Sequence, residues 1–194
     1  GDTVIVYPGT YIGNINYEGK SIVLASRILE SGNEAYTDST IIEGIVTIND
    51  GVDSTALFSG FTIKETTTGI ICEGDIRLEN LIVRDNTHHG IHFTSSETTL
   101  RNSIVFGNIT NSDAGAGIRI ESSSNINLIN VVIDSNRNLV SSGGGIAIES
   151  STVTMDSCQV IENISYSQGG GIYTISSGVL TIKNSIIIGN QVSG

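Results

Sequence analysis

Read in steps of about 27 residues, the sequence brings one set of acid–base side chains into line: His92, Arg119, Glu121 and Glu149. Arg119 follows His92 by 27 residues, and Glu149 follows Glu121 by 28. If one step is one turn of a stacked structure, the two carboxylates lie about 5 Å apart on one face. The guanidinium then stands beside them, with the imidazole one layer away. Two such carboxylates suit a hard cation such as Ca²⁺, to which Asp113 in the segment 109–116 would add a ligand. The same groups suit proton transfer on an acidic substrate, in which a basic residue removes the proton and a cation held by the carboxylates neutralises the substrate's own carboxylate. The plainest reading is a solvated face on which Arg119 compensates the glutamates.

Other candidates carry less chemistry. Thr87-His88-His89-Gly90 reads as a turn that happens to hold two imidazoles. Glu79 with Arg101, and Asp156 with Lys183, are opposite charges one step apart, cross-strand pairs worth a few tenths of a kcal/mol. Asn108-Ile-Thr and Asn163-Ile-Ser match the glycosylation pattern, but both asparagines occupy a repeated structural position and are expected to stay unmodified. The glycine-rich stretches do not join a strand to a helix, so no phosphate-binding loop is supported. Cys72 and Cys158 read as small core residues, three steps and roughly 14 Å apart, beyond the reach of a disulfide.

Composition narrows the function classes. A net charge of −11 with only nine Lys and Arg argues against a nucleic-acid partner. No apolar run approaches the length needed to span a membrane. There is no Trp, so stacking platforms for sugar rings are scarce. With 38% hydrophobic and 15% charged residues, the chain has what a packed core needs.

The elements that must position these groups are visible as a repeat. Gly followed by Ile recurs at Gly44, Gly69, Gly90, Gly117, Gly145 and Gly171. One corner series runs Asn80, Asn102, Asn130, Ser157 and Asn184. A second lies six residues on, at Asn86, Asn108, Asn136, Asn163 and Asn190. Both step by 22, 28, 27 and 27, so the segment joining them is constant and length varies chiefly between the second Asn and the next Gly. Fixed strands with variable loops on one side describe a solenoid.

Within a repeat the hydrophobic period is two. Gly-Ile-Arg-Ile at 117–120 and Gly-Ile-Ala-Ile at 145–148 alternate as a strand with one buried face does. A second strand ends in Leu78, Leu100, Leu128, Met155 and Ile182, and a third carries Val83, Val105, Ile133, Val160 and Ile187. These three are called the Gly-Ile, Leu and Val strands below. Asn tolerates the left-handed backbone needed at sharp corners, and stacked amides can hydrogen-bond between layers. The Leu strand's outward row is polar: Thr99, Asn127, Thr154 and Thr181. The Val strand's is not. Its outward positions include Ile82, Ile104, Val132 and Ile186, with Phe106, Ile161 and Ile188 in the row beside them, interrupted by Gln159, Arg84 and Asp134. β-branched residues stacking on their like is one account of this row. A face covered by a partner chain, a second copy or a terminal segment is the other.

The opening Gly-Asp-Thr-Val-Ile-Val-Tyr-Pro-Gly-Thr-Tyr (1–11), with Thr-Ile-Ile-Glu-Gly (40–44) and Ser-Gly-Phe-Thr-Ile (59–63), resembles pectin-lyase-like β-helix proteins secreted by bacteria. Gly-Gly-Gly-Ile at 143–146 and 169–172, with Phe-Gly-Asn at 106–108, is similar to the repeats of polymorphic outer-membrane adhesins. The resemblance implies export to the cell surface or beyond. It leaves activity open, because such folds serve lyases, hydrolases, adhesins and inert stalks alike. Inverting hydrolases of the fold use neighbouring aspartates, and their Asn-Thr-Asp and Asp-Asp elements are absent here. The expectation is therefore an all-β, right-handed parallel β-helix with three short strands per coil and about seven coils. It forms a single domain, with a first coil and loop in residues 1–43 and six repeats in 44–194, cut from a longer chain. The expected function is a non-catalytic, exported stalk, adhesin or surface-assembly module whose partner is protein or polysaccharide. The alternative is part of a polysaccharide lyase or glycoside hydrolase, with no cofactor other than Ca²⁺.

Overall fold

Alternating aliphatic residues cannot bury one face as an isolated strand, and stacking identical strands in parallel solves this for every repeat at once. The computed structural model, which describes all residues Gly1–Gly194, takes that solution as a right-handed parallel β-helix. The Gly-Ile face stacks seven strands, from Ile15–Asn16 to Ile172–Ile175. The Leu face begins at Thr3–Val6 and ends at Val179–Lys183, and the Val face runs from Gly9–Ile12 to Ile186–Ile188. In two coils the Leu and Val strands are continuous across their corner, as Glu97–Phe106 and Asn125–Asp134. A fourth, two-residue ladder follows the Val face from Ile109–Thr110 to Gln191–Val192.

Register follows the aliphatic rows. Leu78, Leu100, Leu128, Met155 and Ile182 pair in sequence, as do Val83, Val105, Ile133, Val160 and Ile187. Up to Met155 and Val160 these rows meet the inward Gly-Ile residues in one continuous apolar core, with Phe58 and Phe61 stacked at 4.7 Å within it, while Ile182 and Ile187 of the last coil are exposed. Two details differ from the sequence reading. Val46, not Ile45, pairs with Ile70, so Gly44-Ile45 stands one residue out of register with the later Gly-Ile motifs. Residues 1–43 hold one coil and most of a second, since Val23–Ser26 and Thr40–Glu43 already stack on Thr3–Val6 and Gly9–Ile12.

The two asparagine series divide the work assigned to both. Asn80, Asn102, Asn130, Ser157 and Asn184 all have φ between 47° and 58°, the left-handed corner. At the second corner the residue before each asparagine takes that conformation: Asp85, Gly107, Ser135, Glu162 and Gly189. This leaves the asparagines free to turn inward. The Nδ2 of Asn86 donates to Asn108 Oδ1, Asn108 to Asn136, Asn136 to Asn163 and Asn163 to Asn190, all at 2.9–3.0 Å. The sequon asparagines Asn108 and Asn163 are fully buried in this ladder, closed to a glycosyl donor.

The ladder also explains the Gly-Ile glycines. A Cβ on Gly117 would stand 2.6 Å from the Gly145 carbonyl oxygen and 2.8 Å from Asn136 Nδ2, and Gly90 meets Gly117 and Asn108 in the same way. The requirement is steric, since neither glycine has a positive φ. One excursion was not foreseen. Between the Leu and Val strands of the second coil the chain leaves the solenoid and forms two short helices, Ile28–Ser31 and Ala35–Ser39. Thr62 on the Val face donates its hydroxyl to Thr37 O at 2.9 Å, and Thr37 donates to Asn80 O at 3.3 Å, which pins the second helix over the Val face.

Candidate functional site

Strand pairing brings His92, Arg119, Ala147 and Tyr173 into one outward row on the Gly-Ile face, with Thr94 and Glu121 paired beside it. Three of the four expected residues meet closely. Glu121 Oε1 accepts from His92 Nε2 at 2.8 Å, while Oε2 accepts from Arg119 Nη2 at 2.6 Å and Nε at 3.0 Å. Glu149 stays on the rim, 3.7 Å from Arg119 Nη2 and half exposed. Partial burial of Glu121 works against ionisation. The hydrogen bonds from Arg119 and His92 outweigh it and hold the carboxyl below its ordinary range. Ala147 points outward yet is buried, because Gly115 and Gly143 in the adjoining loops close over its methyl group.

This geometry answers the calcium expectation. Both oxygens of Glu121 already face cationic or N–H donors, so a metal would have to displace an arginine. Asp113 is drawn to another partner, its Oδ2 lying 3.8 Å from His88 Nε2. The trio Glu121, Glu149 and Asp113 is therefore divided between two neighbouring clusters. As a catalytic base Glu121 is weak, because a carboxylate stabilised below its ordinary pKa binds a proton less readily. As an acid it is already ionised.

The second cluster was read as a turn. All three histidines of the chain lie in series with tilted rings, His88 against His89 at 3.8 Å and His89 against His92 at 5.5 Å between ring centroids. His89 is buried, and its Nδ1 hydrogen-bonds to Gly115 O at 2.7 Å. The ligand-capable atoms of His88, His89 and Asp113 all fall within 4.8 Å of one another. The signal was available: Asp113 follows His88 by 25 residues, close to one coil. Cys72 and Cys158 are free, buried thiols. Burial pushes Cys72 up to about 11, and Cys158 lies at the corner just before the Val strand.

The apolar Val-face row is aligned as expected, Ile82, Ile104, Val132, Gln159 and Ile186 pairing in turn, with Phe106 and, past Asp134, Ile161 and Ile188 beside them. Its exposure is uneven. Ile104 is 40% exposed, Ile186 56% and Ile188 61%, while Ile82, Phe106, Val132 and Ile161 are half-buried. At the near end the helical excursion forms one wall of a groove of about 520 Å³ whose floor is Leu81, Ile82, Ile104 and Val132. Glu34 and Asp38 stand on that wall.

No curated protein matches the chain. The family model described as "Right handed beta helix region" matches residues 68–194, well over half of the sequence. The match, the parallel ladders and the stacked corners agree: this chain belongs to the right-handed β-helix family.

Proposed function

We propose that the chain is a non-catalytic, exported β-helix module, a stalk, adhesin or surface-assembly part that works by gripping a protein segment along its Val face. The observation that carries this reading is the aligned apolar row, open at Ile104 and leading into the groove beneath the helical excursion. Covering such surface is worth about 25 cal/mol per Å² of apolar area before the entropic cost of association. The wall residues Glu34 and Asp38, and a net charge of −11, disfavour a second copy of the same acidic chain. They favour an apolar segment flanked by Lys or Arg, which would meet attraction at the rim and burial at the floor. Export rests on the resemblance of the opening coil and the repeats to secreted proteins. A lyase or hydrolase reading is disfavoured by Glu121, whose oxygens are occupied and whose affinity for protons is lowered.

The test is fluorescence anisotropy with a synthetic peptide of alternating Val and Leu flanked by lysines, beside an aspartate-flanked control. Binding of the basic peptide that weakens with salt, and at least tenfold with Ile104→Lys, is the expected result. Equal binding of both peptides, or an unchanged affinity in Ile104→Lys, overturns the proposed face. Cleavage of acidic polysaccharide by the wild type, lost in Glu121→Gln, overturns the non-catalytic reading.

A further inference from the structure

We propose that His88, His89 and Asp113 form a binding site for a borderline divalent transition metal, Zn²⁺ or a chemically similar ion, at the seam between the Val and Gly-Ile faces. The site is assembled by the coil repeat. His88 and His89 lie in the loop 85–90 of one coil, and Asp113 in the loop 111–117 that follows the short strand Ile109–Thr110 of the next. Their ligand-capable atoms lie within 4.8 Å of one another. Ligands of a tetrahedral ion with bonds of about 2.0–2.1 Å are roughly 3.4 Å apart, so closure asks for a shift on the order of 1 Å. Asp113, with a side chain 62% exposed, is free to make it.

The second observation is how His89 is held. Its Nδ1 faces the Gly115 carbonyl at 2.7 Å, which makes that nitrogen the donor and leaves Nε2 as a lone pair. A backbone carbonyl on the far nitrogen is the arrangement that fixes the ring and raises the basicity of metal-bound histidines. His88 is oriented by Thr68 Oγ1 at 3.3 Å on Nδ1, and a metal at Nε2, which lies 3.8 Å from Asp113 Oδ2, would take the place of the neutral Ser112 hydroxyl at 2.6 Å. Two imidazoles and one carboxylate select Zn²⁺, Ni²⁺, Co²⁺ or Cu²⁺ over Ca²⁺, which prefers an all-oxygen shell. Three protein ligands leave a coordination position for water or a small anion. The inference is independent of the Val-face reading, since the two sites share no residue.

The experiment is isothermal titration of the purified, chelator-treated chain with ZnCl₂, repeated with CaCl₂, and a Co²⁺ absorption spectrum. One Zn²⁺ per chain at micromolar affinity, no Ca²⁺ heat, and the d–d bands of a four-coordinate Co²⁺ site are expected. His88→Ala and Asp113→Asn, both at exposed or half-exposed positions, should each weaken Zn²⁺ at least tenfold with circular dichroism unchanged. Glu121→Gln should leave the affinity within twofold. Absence of Zn²⁺ binding at 1:1, or affinity unaltered in both His88→Ala and Asp113→Asn, overturns the site. A His88→Ala chain that fails to fold leaves Asp113→Asn as the deciding variant.

Discussion

Replacing Asn136 by Ala isolates what the buried amide ladder contributes. The side chain is fully buried and makes four hydrogen bonds. Nδ2 donates to Val105 O at 2.9 Å and to Asn163 Oδ1 at 3.0 Å, while Oδ1 accepts from Asn108 N at 3.1 Å and Asn108 Nδ2 at 2.9 Å. Asn108 Nδ2 keeps the Val83 and Phe106 carbonyls and Asn163 Oδ1 keeps the Asn136 backbone N–H, so only part of the network is orphaned. The Asn108 backbone N–H loses its partner in a place water does not reach. At about 1 kcal/mol per bond, with about 1–3 kcal/mol for one unsatisfied buried donor and incomplete additivity, the loss is about 4 kcal/mol. Asn130 is the control. It is exposed, its amide bonds only to Asn102 at 3.0 Å, and its φ is 54°. Asn130→Ala therefore costs about 1 kcal/mol, mostly left-handed backbone, and Asn130→Gly is near neutral. Urea unfolding followed by circular dichroism measures all three, with the m-value checking that the transition stays comparable. If Asn136→Ala costs less than about 1.5 kcal/mol, or no more than Asn130→Ala, the division of the two series into a corner and a ladder is wrong.

Gly117→Ala should destabilise by about 2 kcal/mol in the same assay, because its Cβ would press on the Gly145 carbonyl and Asn136. A gain of about 0.5 kcal/mol, usual for Gly→Ala at an unstrained site, would show that the close approach is unimportant. Glu121→Gln should lower stability by about 1–2 kcal/mol at pH 7. Because the folded carboxyl titrates below its ordinary value near 4.5, this contribution is present above pH 4.5 and disappears as pH falls through the folded value. A wild-type to variant difference that stays constant from pH 7 to the acid limb contradicts the ion-paired role. Millimolar Ca²⁺ should leave the melting temperature unchanged, since Glu121 is held by Arg119 and His92; a rise that Glu149→Gln removes would restore the calcium reading.

The solenoid was legible because its determinants are local and repeated. Each strand's alternation, each corner asparagine and each spacing recurs, so an error in one repeat is corrected by its neighbours. The inward rows and outward apolar positions paired as the repeat implied. Gly44-Ile45 misled because it lies in the second coil, where the period is broken by the helical excursion. That excursion carries no repeat of its own, and nothing in residues 27–39 says which face it folds over.

Sequence by itself determined that Glu121, Arg119 and His92 share a face, since side-chain direction in a strand is set by parity and stacking by the coil length. It could not determine who bonds to whom, because that depends on loops of unequal length closing over the strands. Only the tertiary structure turned Asp113 toward His88 instead of the glutamates and roofed Ala147 with glycine loops. Only it separated an asparagine that bends the chain from one that bonds along the axis. Identical residue types six positions apart do different things there because one corner is open to water and the other is buried, where its amides must satisfy one another.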